Sequence, residues 1–455
     1  MLNLINLVII SCALSFGYCL FNIGEVQLYT ISLLPFLFLF LTIVFSSLYK
    51  IYSESNVFKL LILQAVIRYC FLPALISVDQ VFVSKYNLYY LNIAILVMIL
   101  ELIFAFIVFM LFSKKQKNSF SNRNFGITPL RGNVVLLLLL PILFYYIYTT
   151  GAFNKINLIW NLSEYVNEYV TSDEDLASTG FGVVFFNLFK SLVALLFISY
   201  IYKTNKVKES FKKWLYSLII LSSGLFIVGT SRFSLVLFIL PLLFLVSFLL
   251  NNEDYKKIYK LTAILILSVL SVTTVAKFTR DNTIVSTESF LSTSSLNAYF
   301  SGPGNIVTGF EAYEKIEGHE TLLYFFNDTF QNVPLLSKVT SNEYKGSLKF
   351  NQQYYGNDLY ADQIVPLSIS GLFHFSIFGI VFYSSFFIAI ALYMERLSYR
   401  YKFITYKYLF IYLSVNLSLV YMLNIGSFYG SLSGGLLFLF IPFFLINKFQ
   451  NLRFR

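Results

Sequence analysis

The chain has 455 residues, 57% of them hydrophobic and only 12% charged, against about 25% charged in a soluble protein. Repeated apolar runs of about 20 residues exclude a soluble globule and point to an all-α, polytopic integral membrane protein; the alternating segments of about 10 residues that a β-barrel needs are absent. The net charge of +10 does not indicate a nucleic-acid partner, because the basic residues gather in short loops between the apolar runs, as the positive-inside rule requires.

Twelve spans are expected in a single membrane domain covering 1–455. They run over 2–21, 28–49, 57–78, 87–112, 132–150, 183–202, 214–230, 233–250, 261–276, 364–392, 408–424 and 432–447. The first has no Lys or Arg before Lys50, so it lacks the basic leader of a cleaved signal peptide and reads as a span. Cys12, Cys19 and Cys70 fall in apolar runs without metal-binding spacing and read as small buried residues; Phe16-Gly17-Tyr18 before Cys19 is a poor lipoprotein cleavage pattern. Arg68 and Glu101 fall mid-span at similar depth. They are either a mutual ion pair across adjacent helices or, as intramembrane charges often are, functional, with Arg68 then a contact to an anionic substrate. Lys190 lies about two turns from the external end of its span, placed either to snorkel or to reach into an outward-facing cavity.

The short loops alternate in charge. One set holds Lys50 and Lys59, the cluster from Lys114 to Arg131, Lys203 to Lys213, Lys256 to Lys260, Arg396 to Lys407, and Lys448 to Arg455; the opposite set holds only Lys85, Lys155 and Arg232. This asymmetry makes both termini cytoplasmic and places the acidic segment 151–181 outside. It also places outside a large loop, 277–363, inserted between spans nine and ten. That loop carries many aromatic residues, among them Tyr313, Tyr324, Phe325, Tyr344, Tyr354 and Tyr355, which disordered segments lack. A short helix is expected over Ala312–Ile316, with Glu311, Glu314 and Lys315 polar, led in by the turn Ser301-Gly302-Pro303-Gly304.

Several residues have the chemistry of a site. Arg232, in Gly229-Thr230-Ser231-Arg232, stands on the side that otherwise avoids cations; it either grips a phosphate or pyrophosphate bidentately or anchors a helix end among lipid headgroups. Lys277 and Arg280 fall at the same level and extend a cationic cluster, or serve as interfacial anchors. The loop offers ten carboxylates, Glu311 among them, and His319 as candidate bases, most of them solvated surface groups; His374, early in span ten, is either a base or a satisfied structural histidine. Walker loops, GxGxxG, HExxH, Cys/His metal clusters and, in the loop, DxD pairs are all missing, so no metal or other cofactor is indicated. An external transferase would then need a donor that is already activated, most simply a lipid-linked pyrophosphate.

With these features the chain resembles the Wzy-type oligosaccharide repeat-unit polymerases of bacterial O-antigen (lipopolysaccharide) and capsule pathways. Gly229-Thr230-Ser231-Arg232-Phe233-Ser234 is similar to the Gly-x-Arg turn between two mid-chain spans of that family, and the loop before the last three spans is similar in position to its principal periplasmic loop. Asn357-Asp358-Leu359-Tyr360 through Pro366, then Ser370-Gly371-Leu372-Phe373 and Phe378-Gly379, resembles the family's exit from that loop. The Arg-x10-Gly repeat of some members does not occur at Arg232 or Arg280. The resemblance implies an inverting, metal-independent glycosyltransferase in the bacterial plasma (inner) membrane. It would move a growing glycan from polyprenyl (undecaprenyl) pyrophosphate to a lipid-linked repeat unit, with a chain-length regulator and a flippase as partners beside membrane lipid. Arg232, with Arg280, Lys277 and Arg68, would contact pyrophosphate; Tyr354, Tyr355 and Asn357 would contact sugar; His319, Glu311 or His374 would supply the base. A lipid-linked oligosaccharide flippase and an O-antigen ligase are the alternatives.

Overall fold

A backbone surrounded by hydrocarbon must satisfy its own N–H and C=O groups, and this chain does so almost entirely by α-helix. The computed structural model describes residues 2–22, 28–120, 127–130, 134–150, 156–158, 173–204, 208–228, 233–250, 254–264, 268, 292–316, 321–333, 336–356 and 363–449. Among the described residues, the helices of 7 residues or more are, in chain order, α1 (Leu2–Phe21), α2 (Leu33–Val44), α3 (Asn56–Ile76), α4 (Leu88–Phe120), α5 (Val134–Thr149), α6 (Asp173–Lys203), α7 (Glu209–Leu225) and α8 (Phe233–Leu249). Then come α9 (Thr293–Tyr299), α10 (Pro303–Glu314), α11 (Thr321–Phe330), α12 (Gly346–Tyr355), α13 (Leu367–Arg400), α14 (Ile404–Ser418) and α15 (Ile425–Lys448). Six of these, α1, α3, α4, α6, α13 and α15, hold stretches long and apolar enough to cross a membrane; shorter apolar helices cover Tyr29–Val44, Val134–Thr149 and Leu237–Leu249.

The boundaries differ from the expected spans in places. The stretch 214–230 is helical only to Leu225; Phe226–Val228 is a strand pairing antiparallel with Ile156–Leu158. The stretch 408–424 is helical only to Ser418, and the next helix starts at Ile425. Asn424 sets that start, because its Oδ1 accepts from the Ser427 backbone N–H at 3.0 Å and from the Ser427 hydroxyl at 2.8 Å. Most of 261–276 lies outside the described residues.

The chain divides into two compact units. One comprises 1–121, 287–396 and 416–432; the other comprises 122–286, 397–415 and 433–455. In the second, Ser191 Oγ and Tyr408 Oη lie 3.0 Å apart, and the Lys190 ammonium is buried, 3.4 Å from the Phe238 ring centroid.

The first unit is tied together at both ends of its apolar helices. At one end Ser55 caps α3 by accepting from the Phe58 N–H at 3.0 Å, and the buried Glu395 of α13 accepts from the N–H groups of Asn56 and Val57 at 2.8 and 3.1 Å. The first-turn donors that no intrahelical acceptor can serve are thus satisfied. Midway, α3 widens into a π turn over Ile67–Phe71 just before Pro73, whose missing N–H and ring disturb the regular ladder. The Ser15 hydroxyl of α1 donates to the Cys70 carbonyl there at 2.7 Å. The π turn carries Arg68, which pairs with Glu101 of α4 at 2.7 Å.

Segment 292–356 belongs to this unit and is built of α9 to α12. Ser301 has φ +49°, Gly302 caps α10 and Pro303 opens it, the position where a missing N–H costs nothing. The helix therefore starts well before the expected Ala312. Asn297 fixes this turn: its Oδ1 accepts from the Gly304 N–H and its Nδ2 donates to Asn305 Oδ1, both at 2.9 Å. α10 lies against the end of α4 and the residues before it. A Cβ on Gly304 would come within 2.7 Å of the Tyr86 ring, and the Tyr90 hydroxyl donates to Glu314 Oε1 at 2.7 Å. Burial of Tyr86 pushes its phenol up to about 12, so it remains neutral at physiological pH.

Candidate functional site

The side chains that could do chemistry converge where segment 292–356 meets the start of α13. A cavity of about 610 Å³ lies there between α10, α11 and α12. Its wall includes Lys315, Tyr324, Glu343, Tyr344, Lys349, Gln352 and Gln353, over an apolar floor of Ala312 and Ile316. The volume is that of a small-ligand site. Amides, a carboxylate, ammonium groups and two tyrosines make a lining suited to a ligand rich in hydroxyl groups. Part of the lining is preset: Lys315 Nζ donates to Gln353 Oε1 at 2.6 Å, and Gln353 Nε2 donates to Glu311 Oε2 at 3.0 Å.

Beside the cavity is a buried hydrogen-bonded chain. Tyr324 and Asp328 stand one turn apart on the same face of α11. Tyr324 lines the cavity and stacks on Phe373, with ring centroids 5.8 Å apart. Asp328 accepts through Oδ2 from His374 Nε2 at 3.0 Å and from the Gly346 N–H at 3.2 Å, and through Oδ1 from Gln331 Nε2 at 3.3 Å. On the far side of the imidazole, His374 Nδ1 lies 2.8 Å from the Tyr383 hydroxyl, which lies 3.3 Å from that of Tyr429. With Asp328 as a carboxylate, which only accepts, Nε2 donates to it and Nδ1 is left to accept from Tyr383. Phe325 closes the chain from the side, its ring 5.6 Å from the imidazole.

His374 is held there by a break in α13. Phe375 (φ −138°) and Ser376 (φ +53°, ψ −151°) leave the helical region immediately after it. The turn is so tight that Gly371 and Gly379 meet backbone to backbone: a Cβ on Gly371 would lie 2.1 Å from the Gly379 carbonyl oxygen. A positive φ at a serine costs on the order of 1–3 kcal/mol and persists where surrounding contacts fix it.

Of the residues singled out in the sequence, Glu311 holds the lining residue Gln353 and His374 is held by Asp328, whereas Tyr354 and Tyr355, with rings 4.9 Å apart on α12, are not among the lining side chains. Tyr354 also stacks on the buried Phe350. Arg68 is elsewhere: it is fully buried in the apolar interior, on Glu101 and 4.4 Å from the Tyr421 ring centroid, with Ser384 donating to the other Glu101 oxygen at 2.8 Å. Its guanidinium is taken up by protein groups, as the ion-pair reading of this residue expects, rather than presented to a substrate. Arg232, Lys277, Arg280, His319 and Asn357 lie outside the described residues. The residues that sequence reasoning did not single out are Asp328, Tyr383, Tyr429 and the lysine Lys349. Among the described residues, no group of three or more His, Cys, Asp or Glu is placed to hold a metal ion. Comparison with known family models, with curated proteins and with solved structures returned no match.

Proposed function

We propose that this chain is a membrane glycosyltransferase: an oligosaccharide repeat-unit polymerase that uses a polyprenyl-pyrophosphate-linked glycan as donor and a lipid-linked repeat unit as acceptor. The observation that carries the reading is the polar cavity of about 610 Å³ in a folded segment seated on the ends of apolar helices, with a buried carboxylate–imidazole pair beside it. A soluble sugar could be handled without a membrane domain, and a lipid substrate without a polar cavity. A glycan on a lipid needs both, side by side.

In this reading the cavity holds sugar, with Gln352, Gln353, Glu343 and Lys349 pairing with its hydroxyl groups and Tyr324 and Tyr344 offering ring faces. His374 is the proton acceptor. The proton of an acceptor hydroxyl is taken up on His374 Nδ1, the ring nitrogen that Asp328 does not hold. The imidazolium so formed is stabilised by Asp328. The freed oxygen attacks the anomeric carbon of the donor, and the bond to pyrophosphate breaks with its electron pair. Arg232, Arg280 and Lys277 keep the role the family resemblance gives them, as cations for the departing pyrophosphate.

The test is the purified protein in lipid bilayers, given a lipid-linked repeat unit. A ladder of products differing by one repeat is expected, lost in Arg232→Ala and in His374→Gln while both variants stay folded. A single unconverted band from the unaltered protein would sink the assignment. Transport of the unit across the bilayer without elongation would replace it with the flippase reading.

A further inference from the structure

α11 is inside out for a helix bathed in water. Its face bearing Tyr324 and Asp328 is buried, at 4% and 1% exposure, while Leu322 and Phe326 are exposed at 62% and 46%. Residues two apart differ by about 200° around a helix, so these are opposite faces. Beyond α11, Leu336 and Val339 are exposed as well, with the exposed Lys338 between them. The exposed face of α11 runs directly onto a membrane-crossing helix: the Phe326, Phe325 and Phe375 rings follow one another at 5.5 and 5.3 Å. From Phe375 the exposed face of α13 goes on through Ile377, Phe378, Phe382 and Phe386.

The level of this surface follows from α13. Beyond the break at Phe375–Ser376, the helix from Ile377 to Arg396 rises about 28 Å at ~1.5 Å per residue, close to the ~30 Å hydrocarbon thickness of a bilayer. With Arg396 at one boundary, Phe375 is at the other, and so is α11.

We propose that α11 is an interfacial helix lying in the membrane surface, with Leu322, Leu323 and Phe326 among the acyl chains of the bilayer and Lys338 at the headgroups. Such a helix buries its apolar side ~5–10 Å into the headgroup–acyl boundary. Its other face, about one helix diameter (~10 Å) higher, holds Asp328 and, through it, His374 at headgroup height. The occupant of the exposed face is bilayer lipid, because that face is continuous with the lipid-facing side of α13. The inference stands on this geometry and does not depend on the catalytic reading.

The test uses the full chain in lipid nanodiscs, with Cys12, Cys19 and Cys70 replaced by Ala and a fluorophore placed on Leu322→Cys, Phe326→Cys or Asn342→Cys. Chain-brominated phospholipid should cause a marked loss of emission at 322 and 326 and none at 342; aqueous iodide should do the reverse. A photoreactive phospholipid with a diazirine in its acyl chain, applied to the unaltered protein, should label the peptide containing Leu322–Phe326. Iodide quenching at 322 and 326 equal to that at 342 would overturn the proposal. So would shielding from both quenchers, which would mean that protein rather than lipid covers the face.

Discussion

The Arg68–Glu101 pair shows how a single residue is fixed by its surroundings. A charge in hydrocarbon is costly unless it is paired, and this pair is held by Ser384, Tyr69 and the face of Tyr421. Removing one partner leaves the other charge buried and uncompensated, a loss of about 3–5 kcal/mol, whereas replacing both with apolar groups is often nearly neutral. Arg68→Met and Glu101→Leu should therefore each lower the thermal unfolding midpoint in detergent strongly, and the double variant should recover most of the loss. A double variant as unstable as the sum of the singles would refute the account. The pairing was only half legible in the sequence: two opposite charges at matching depth in adjacent spans suggest an ion pair, but they left a substrate contact for Arg68 equally open. The catalytic-looking pair was not legible. Asp328 is one of ten loop carboxylates with no distinguishing spacing, and its partner His374 is 46 residues away.

At the scale of elements, the informative feature is the break in α13. The sequence shows a continuous apolar stretch there, and the expected span 364–392 passes straight through it. What breaks the helix is not a proline but the mutual approach of Gly371 and Gly379, with Ser376 in a positive-φ conformation that nothing in the composition announces. Two glycines eight residues apart read as ordinary membrane-helix glycines. The same kind of failure explains α11, where the usual rule that apolar faces point inward gives the wrong side. By contrast the turn that leads into α10 was readable, although the helix was expected only from Ala312, because Gly-Pro at a helix entrance has a local physical reason that tertiary context does not override. The break can be probed by opposed glycine substitutions. Gly371→Ala or Gly379→Ala forces a Cβ to within 2.1 or 1.9 Å of a carbonyl oxygen and should destabilise by at least the ~1–3 kcal/mol of an overpacked core. Gly434→Ala, in helical backbone with nothing within 4 Å of the added Cβ, should instead stabilise by about 0.5–1 kcal/mol. Unfolding midpoints of the three variants measured side by side decide the matter; equal shifts at all three positions would mean that the close approach does not hold the break.

At the scale of the molecule, the membrane unit comprising 1–121, 287–396 and 416–432 has two chemically distinct ends. Glu395 binds the N-terminus of α3, so Arg396 stands at the level of Ser55 and Asn56, near Lys50 and Lys59. At the other ends of α3 and α4, the chain carries Asp79, Lys85 and Tyr86, and α10 rests on Tyr86 and Tyr90. The cavity and the Asp328–His374 pair therefore share one end, and the cluster of cations takes the other. If the Lys- and Arg-rich short loops are cytoplasmic, as the positive-inside rule expects, the cavity faces the outer side, where the proposed lipid-linked donor needs no nucleotide. Cysteine accessibility tests this directly, because the three native cysteines are buried and do not compete. Asn342→Cys, exposed beside the cavity, should react with a membrane-impermeant maleimide in intact cells. Lys50→Cys, exposed at the opposite end, should react only after the membrane is permeabilised. If the labelling were reversed, the cavity would open to the cytoplasm. A lipid-linked pyrophosphate donor would then lose its rationale, because nucleotide-activated sugars would be available on that side. The candidate base would survive such a result, but the polymerase reading would not.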